Sequence, residues 1–348
     1  IHVKFTSDDN QVMLFNEAGG AEMPPFFNSY HQLIIYSEAL YWNIDSTEMY
    51  FKNMRGVNQN NKASFVSNNY FSIRDFYRLQ GMDDINPLYT IFNYLHTYGG
   101  ETIQLGAFSE FMRKPKEQVA ALLINLGRKG FLIYDSKTET ATVKQRLYDY
   151  LDAKSGQADY DVIRLESEVF ARPNAMIDLN DLSLDVFGVP EVFISDSQEV
   201  YIYPFDKTIS FRKNRDFTFD GRVHAGLFDF YAQGSTFVYD SFMLNLNYID
   251  SLTFMVKTKG LLTGADSLVK VKNVLTVLNG RIYVDEAYNK SGLRRLDQYP
   301  IFVSNEESYV YFNKRSIQDS TLTPENFYYR VEPFTFDSLS TFTTQGLA

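Results

Sequence analysis

The sequence predicts a mainly β protein in which short strands are stacked as a curved sheet, a solenoid-like array or a sandwich, with one compact α/β insert. The first observation is composition, because 30 Phe and 25 Tyr among 348 residues favour pleated, half-buried surfaces over helices. The second is the alternation of apolar and polar residues at period two near both ends of the chain. The third is a helical periodicity that is confined to one internal segment.

Residues 1–70 form the first predicted segment, which is β-rich. Leu40, Trp42 and Ile44 share one face of an alternating run, as in a half-buried strand. The turn residues Asp45 and Ser46 separate this run from the next apolar one. We therefore expect several short strands before residue 70.

Residues 71–155 form the second predicted segment, which is helical. Asn86 and Pro87 cap and begin a helix that ends at Gly99, with Phe92 on its apolar stripe. The elements that follow in order are a strand at 102–105, helices at 106–113 and 115–126, a hairpin at 131–134 and 141–143, and a helix at 145–154.

This order of elements resembles the winged-helix arrangement in topology, over residues 87–144. In winged-helix proteins that bind DNA, the third helix presents polar and basic side chains to base edges. The equivalent helix here offers Lys116, Glu117, Gln118 and Asn125 outside its apolar stripe, which is a weak set for binding phosphate. We expect the insert to contact proteins or to be structural, with these four side chains as candidate interaction residues.

Residues 156–348 form the third predicted segment, which is again β-rich. Phe217, Phe219 and Val223 alternate with polar residues, as expected of a strand with one buried face. Further short strands follow after turns of a few residues, including two at 228–231 and 236–239. Asn279-Gly280 predicts a type I′ hairpin between residues 274–277 and 281–284, since both residues tolerate positive φ.

Composition excludes several classes of function. The chain has no Cys, which rules out disulfides, thiol catalysis and Cys-ligated metal sites, and which suits export to an oxidising compartment. A net charge of −10 disfavours nucleic acid as a partner. No apolar run approaches the roughly 20 residues of a transmembrane helix. Both ends read as cuts within a longer polypeptide, so the β segments are expected to continue beyond them.

No catalytic residue and no cofactor is predicted. Asp220 with Asp229, or Asp285 with Glu286, offers paired carboxylates of the kind that glycosidases use, but nothing distinguishes either pair among 43 acidic residues. No phosphate-binding glycine loop and no nucleophile elbow is present. Spacing typical of zinc ligands is also absent from the four histidines, which are His2, His31, His96 and His224.

One acidic cluster is a weak calcium candidate. Hard oxygen ligands cluster at Asp178, Asn180, Asp181 and Asp185, and exported β proteins often use calcium. The spacing of an EF-hand loop and its central Gly are missing. A turn that simply carries acids is the favoured interpretation.

The stretch Asp216–Phe230 resembles parts of very long, uncharacterised exported proteins of Bacteroidetes. The segments Arg78–Met82, Asn247–Leu252, Asn289–Leu293 and Gln298–Phe302 carry the same resemblance. It implies a β-rich, envelope-associated protein of which this chain is an interior piece. It implies no catalytic residues.

These observations predict a non-catalytic structural or protein-interaction component of a bacterial cell envelope or surface assembly, in the periplasm or at the cell surface of a Gram-negative bacterium. The expected partners are other proteins of that assembly. The first alternative is a carbohydrate-binding or carbohydrate-active protein in which Trp42 and Tyr41 stack on a glycan. The second is a regulator that binds nucleic acid through the winged helix.

Overall fold

The computed structural model describes residues 2–15, 25–53, 62–81, 84–169, 172–259, 266–270, 275–277, 279–311 and 327–338. Its helices are α1 (Ile73–Gln80), α2 (Pro87–Tyr98), α3 (Leu105–Met112), α4 (Lys116–Arg128) and α5 (Gln145–Ser155). Across these described ranges, no helix has the length and apolar character that crossing a membrane requires.

Strands make up most of the regular structure, so the predicted mainly β class is confirmed. The strands are β1 (His2–Thr6), β2 (Gln11–Phe15), β3 (Phe26–Asn28), β4 (Leu33–Tyr36), β5 (Ala39–Asn43), β6 (Glu48–Lys52), β7 (Ala63–Ser67), β8 (Thr102–Gln104), β9 (Leu132–Asp135), β10 (Thr140–Val143), β11 (Arg164–Ser167), β12 (Ala175–Asp178), β13 (Leu184–Phe187), β14 (Val192–Ser195), β15 (Val200–Pro204), β16 (Thr208–Phe211), β17 (Phe217–Ala225), β18 (Phe228–Val238), β19 (Met243–Leu246), β20 (Tyr248–Lys259), β21 (Asp266–Lys270), β22 (Leu275–Val277), β23 (Gly280–Tyr283), β24 (Ile301–Ser304), β25 (Ser308–Tyr311), β26 (Tyr328–Val331) and β27 (Thr335–Phe336).

All the strands except β8, β9 and β10 belong to one antiparallel system that divides into two layers at the long hairpin β17–β18. In the first layer, β1, β2, β5, β6, β12, β13 and β16 pair in that order, and β16 pairs with the early part of β17. The same layer continues from the late part of β18 through β19, β23, β24 and β27. The second layer runs β3-β4-β7-β11-β14-β15 to the late part of β17, and from the early part of β18 through β20-β22-β25-β26. β21 pairs with the end of β20.

The two layers face each other across one hydrophobic core. Phe26 of the second layer lies 5.6 Å from Phe51 of the first, measured between ring centroids. Toward the other end, Phe230 of the second layer lies 4.7 Å from Phe302 of the first. Buried residues from both layers form one continuous cluster. Of the three predicted arrangements, the structure is therefore the sandwich, with packed aromatic rings between its sheets.

The central hairpin confirms the predicted alternation. Phe217, Phe219 and Val223 are buried, whereas the polar residues between them are not. A bulge lies between Phe219 and Gly221, and a Cβ added at Gly221 would lie 2.6 Å from the carbonyl oxygen of Tyr203 on β15. The backbones approach so closely there that only glycine fits.

The helices and the small sheet β8-β10-β9 form a second unit with its own core. Asn86 caps α2, since its Oδ1 accepts a hydrogen bond from the Leu88 amide at 3.0 Å. The hairpin β9–β10 and the helices α3, α4 and α5 lie where the sequence predicts them, within one residue or two. The helix α1, which Ser72 caps, was not placed by the sequence prediction.

This helical unit is inserted between two neighbouring points of the sandwich. Tyr70 and Asp161 form a β-bridge at its base. The strands that precede and follow the unit, β7 and β11, pair with each other. The β segments on either side of the helices therefore build one body, and the chain leaves it and returns to it at a single neck.

Two predicted strand arrangements are wrong. The Asn279-Gly280 dipeptide does not connect a hairpin, because β22 pairs with β20 and β25 whereas β23 pairs with β19 and β24 in the other layer. Gly280 is instead required by packing, since an added Cβ would lie 2.5 Å from the ring of Phe302. The predicted strands at 228–231 and 236–239 are one long strand, β18, which continues through Gly234 at φ +60°.

Candidate functional site

The acidic turn between β12 and β13 does not gather its oxygens into a metal site. Oδ1 of Asp178 accepts hydrogen bonds from the amide and side chain of Asn180, both at 2.8 Å. Asp181 accepts from Arg212 at 2.8 Å, and Asp185 accepts from the Ser210 hydroxyl at 2.5 Å. Within the described ranges, no three acidic or histidine side chains are grouped to hold a metal ion. The cluster is a turn that carries acids.

Trp42 and Tyr41 do not form one stacking platform. They are successive residues of β5, so their side chains point to opposite faces of the sheet. Trp42 lies across from Met49, and its Nε1 donates to the carbonyl of Ser46 at 3.4 Å. Tyr41 lies across from Tyr50 on the other face. A single glycan ring cannot contact both side chains.

The four candidate residues of α4 separate into two places. Lys116, Glu117 and Gln118 form the exposed first turn of the helix. Asn125 lies two turns later and lines a cleft between α4 and the sandwich. The first three residues therefore face open solvent, and Asn125 faces a different environment.

The paired carboxylates are not arranged for acid–base catalysis of glycosidic bonds. Asp229 lies opposite His224, four strand positions from Asp220, which places the backbone positions of the two residues about 13 Å apart along the sheet. Asp285 is buried and accepts from Gln198 at 2.7 Å, while its neighbour Glu286 accepts from Tyr299. Glycosidase pairs lie roughly 5 to 9.5 Å apart and flank a shared cleft.

The histidines have separate environments. His31 is buried, its Nε2 lies 2.8 Å from the carbonyl of Leu182, and burial lowers the pKa of its imidazole. His96 stacks on Phe92 near the end of α2. His2 is exposed on β1. These three residues share no site.

An aromatic row crosses the outer face of the second layer. The ring centroids of Phe193 and Tyr201 lie 5.4 Å apart, and those of Tyr201 and His224 lie 6.0 Å apart. Nδ1 of His224 lies 3.2 Å from the carboxylate of Asp229, and Arg222 lies 3.9 Å from the same carboxylate. We call Phe193, Tyr201 and His224 the outer row. It places half-exposed rings beside charged groups on an open surface.

A second group of rings lies on the helical unit, where α2 ends beside α3. The centroid of Tyr94 is 4.9 Å from that of Tyr98 and 5.3 Å from that of Phe111. Tyr98 is 67% exposed and Phe111 is 37% exposed, although both rings pack on the nearly buried Tyr94. We call these three residues the aromatic cluster. The apolar stripe predicted for α2 did not identify the aromatic cluster. That prediction places Phe92 on the buried face, whereas Phe92 is 39% exposed.

A network of polar groups is buried in the neck below the helical unit. The carboxylate of Asp161 has no exposed surface and accepts hydrogen bonds from the hydroxyls of Ser67 at 2.6 Å and Tyr239 at 2.8 Å. Nη1 of Arg215 lies 3.7 Å from this carboxylate. Burial raises the pKa of Asp161 and that of Tyr239. We call Ser67, Asp161, Arg215 and Tyr239 the neck cluster.

The spacing of these sites explains why the sequence did not reveal them. The neck cluster joins residues 67 to 239, and the outer row joins three strands, so neither leaves a local motif. Only the aromatic cluster has a local signal, the i, i+4 spacing of Tyr94 and Tyr98. No family model, curated protein or solved structure matches the sequence.

Proposed function

We propose that the protein is a non-catalytic interaction component of a bacterial envelope or surface assembly, and that the inserted helical unit docks another protein of that assembly. The observation that carries this proposal is the aromatic cluster. Two rings stay exposed at one end of a unit that has its own core. Exposed aromatic groups of this kind are typical of protein interfaces.

The position of the helical unit supports the same function. The element order α2-β8-α3-α4-β9-β10-α5 fits a winged helix, a fold that serves as a protein-docking module as well as a DNA reader. The chain enters and leaves the unit at one neck, so the unit is a distinct part of the surface. The absence of Cys suits the periplasm or cell surface that we propose as its location.

Site-specific photo-crosslinking in the source bacterium tests the proposal. A benzophenone side chain at Tyr98 should give one defined product with an envelope protein. Tyr288 of the sandwich is the matched control, because it is an exposed tyrosine of similar accessibility, 64% against 67%. Phe111→Ser should remove the product from position 98. The same products from both positions, or no product from position 98, would contradict docking through the aromatic cluster.

Glycan binding at the outer row is a second candidate function. Aromatic rings flanked by a carboxylate and a guanidinium resemble a surface that stacks on a sugar and hydrogen-bonds its hydroxyls. A glycan array with the whole chain and with Tyr201→Ala tests this candidate. Saccharide-dependent binding that Tyr201→Ala removes would support it, and equal signals from both proteins would reject it.

A further inference from the structure

A cleft of about 470 Å³ lies between the helical unit and the outer face of the second layer. Its helical wall comes from α1, α4 and α5, and its floor comes from β4, β7 and β11. The volume is within the usual range for a small-molecule site. Its basic lining residues, in a protein of net charge −10, are Arg78, Lys129, Arg146 and Arg164.

Arg146 is the unusual residue of this cleft. Its Nε and Nη1 atoms are buried and meet no hydrogen-bond partner among the residues that the structure describes. The guanidinium lies 5.5 Å from the ring centroid of Phe131. The nearby carboxylate of Asp149 is exposed and accepts a hydrogen bond from Gln145 instead. The side chain as a whole is half-buried, but buried N–H groups without a partner are costly unless something pairs with them.

The charges around Arg146 indicate how large a counter-charge is missing. Arg78 lies 3.4 Å from Asp75, and Arg164 lies 2.5 Å from Glu166, so each of these arginines has its own carboxylate. Lys129, the fourth basic residue of the lining, also has an interaction of its own. Arg146 has no carboxylate at that distance in the described part of the chain. One carboxylate balances one guanidinium and can accept from its N–H groups. A phosphate dianion would exceed this balance.

The other walls indicate the rest of the ligand. Oδ1 of Asn125 is also buried without a partner, so it can accept from an N–H or O–H group. Leu79, Leu122 and Leu126 supply apolar surface, and Tyr36 and Tyr150 supply rings. The cleft is thus complementary to a molecule with a carboxylate, a hydrogen-bond donor and an apolar body.

We propose that this cleft binds an organic monocarboxylate with an apolar body, whose carboxylate pairs with Arg146 and whose donor group bonds to Asn125. Such a carboxylate can belong to a free acid or to the C-terminal residue of a polypeptide. The site is separate from the aromatic cluster, so it does not depend on the docking function proposed above.

Fluorine NMR titration of the whole chain tests this site with two probes. The first probe is 4-(trifluoromethyl)mandelate, whose α-hydroxyl supplies the donor group, and the second is an N-acetyl tripeptide that ends in 4-(trifluoromethyl)phenylalanine with a free carboxylate. We expect at least one probe to bind, and the tighter of the two identifies the source of the carboxylate. The corresponding amides, which lack the charge, should bind at least roughly tenfold more weakly.

Arg146→Met removes the guanidinium and keeps an apolar stem, and it should weaken the binding probe roughly 10- to 100-fold. Arg128→Gln, which removes a charge from an exposed position of α4 outside the cleft, should leave the affinity unchanged. Equal affinity of acid and amide, equal affinity of wild type and Arg146→Met, or no binding of either probe at about 10 mM would overturn the proposal. If Arg146→Met does not fold, the comparison of acid with amide on the wild-type chain still tests whether binding requires the carboxylate.

Discussion

The hydroxyl of Tyr239 donates a hydrogen bond of 2.8 Å to Oδ2 of Asp161, a carboxylate that has no exposed surface. Ser67 donates to the same oxygen, and the Ile163 amide donates to the other oxygen at 3.0 Å. The guanidinium of Arg215 lies 3.6 Å from the centroid of the Tyr239 ring. Four separate parts of the chain therefore meet at one buried charge, at the base of the helical unit.

Tyr239→Phe should destabilise the protein by about 1–3 kcal/mol, because it leaves Asp161 with one hydroxyl donor fewer in a site without solvent. Urea unfolding measures this difference as a shift of the midpoint at constant m-value. Tyr231→Phe removes a hydroxyl from a partly exposed position of β18 and is the control. An equal effect of both substitutions would show that the neck cluster has no special role.

Asp161 should make its own contribution to the pH dependence of stability. Burial raises the pKa of this carboxyl above its ordinary value, while its hydrogen bonds act in the opposite direction. A group whose pKa is raised by folding favours the folded state most at low pH, and that contribution is lost as pH rises through the folded pKa. The unfolding free energy of wild type minus that of Asp161→Asn should therefore fall above about pH 4 and then level off. A difference that rises with pH would contradict this.

Gly221→Ala should destabilise the protein by about 1–3 kcal/mol, because the added Cβ would collide with the backbone of Tyr203 where β15 meets the central hairpin. Gly127→Ala is a matched control. Its Cβ would meet ordinary contacts at 3.6 Å inside α4, so it should stabilise the protein by about 0.5–1 kcal/mol. Thermal unfolding should show a lower midpoint temperature for Gly221→Ala and a higher one for Gly127→Ala. A shift of the same sign in both would be inconsistent with the bulge geometry.

Arg146→Met should raise the unfolding free energy by about 1–3 kcal/mol in the absence of ligand, because it removes a half-buried guanidinium whose Nε and Nη1 groups are buried and unsatisfied. Denaturant unfolding without carboxylate buffers checks this expectation. Arg128→Gln, at an exposed position, should change stability by less than about 0.5 kcal/mol. A strongly destabilised Arg146→Met variant would show that the guanidinium is already satisfied.

The elements that the sequence predicted well have their determinants within a few residues. The cap at Asn86, the helix after Pro115 and the alternation in β17 all depend on neighbours along the chain. The pairing of strands does not depend on neighbours along the chain. For that reason the Asn279-Gly280 dipeptide led to a hairpin prediction that is wrong. Its flanking strands pair with strands of opposite layers, whose positions depend on the packing of rings such as Phe302.

The candidate sites were less predictable than the fold, for a related reason. Asn125 was a predicted interaction residue, but Arg146, which lines the same cleft, lies on another helix and was not identified. Trp42 and Tyr41 were both named as glycan-stacking residues, but successive strand residues face opposite sides of the sheet, so they do not form one site. A site at the boundary of two units depends on how the units meet, and local pattern contains no information about that.

The bridge between Tyr70 and Asp161 has a consequence for how such a chain can change over evolutionary time. The inserted segment of about 90 residues begins and ends at adjacent points of the sandwich. Its gain or loss therefore leaves the register of β7 against β11 intact. A sandwich of this kind can acquire, exchange or discard such a helical unit by one recombination event. Selection can then act on the inserted unit while the sandwich stays the same.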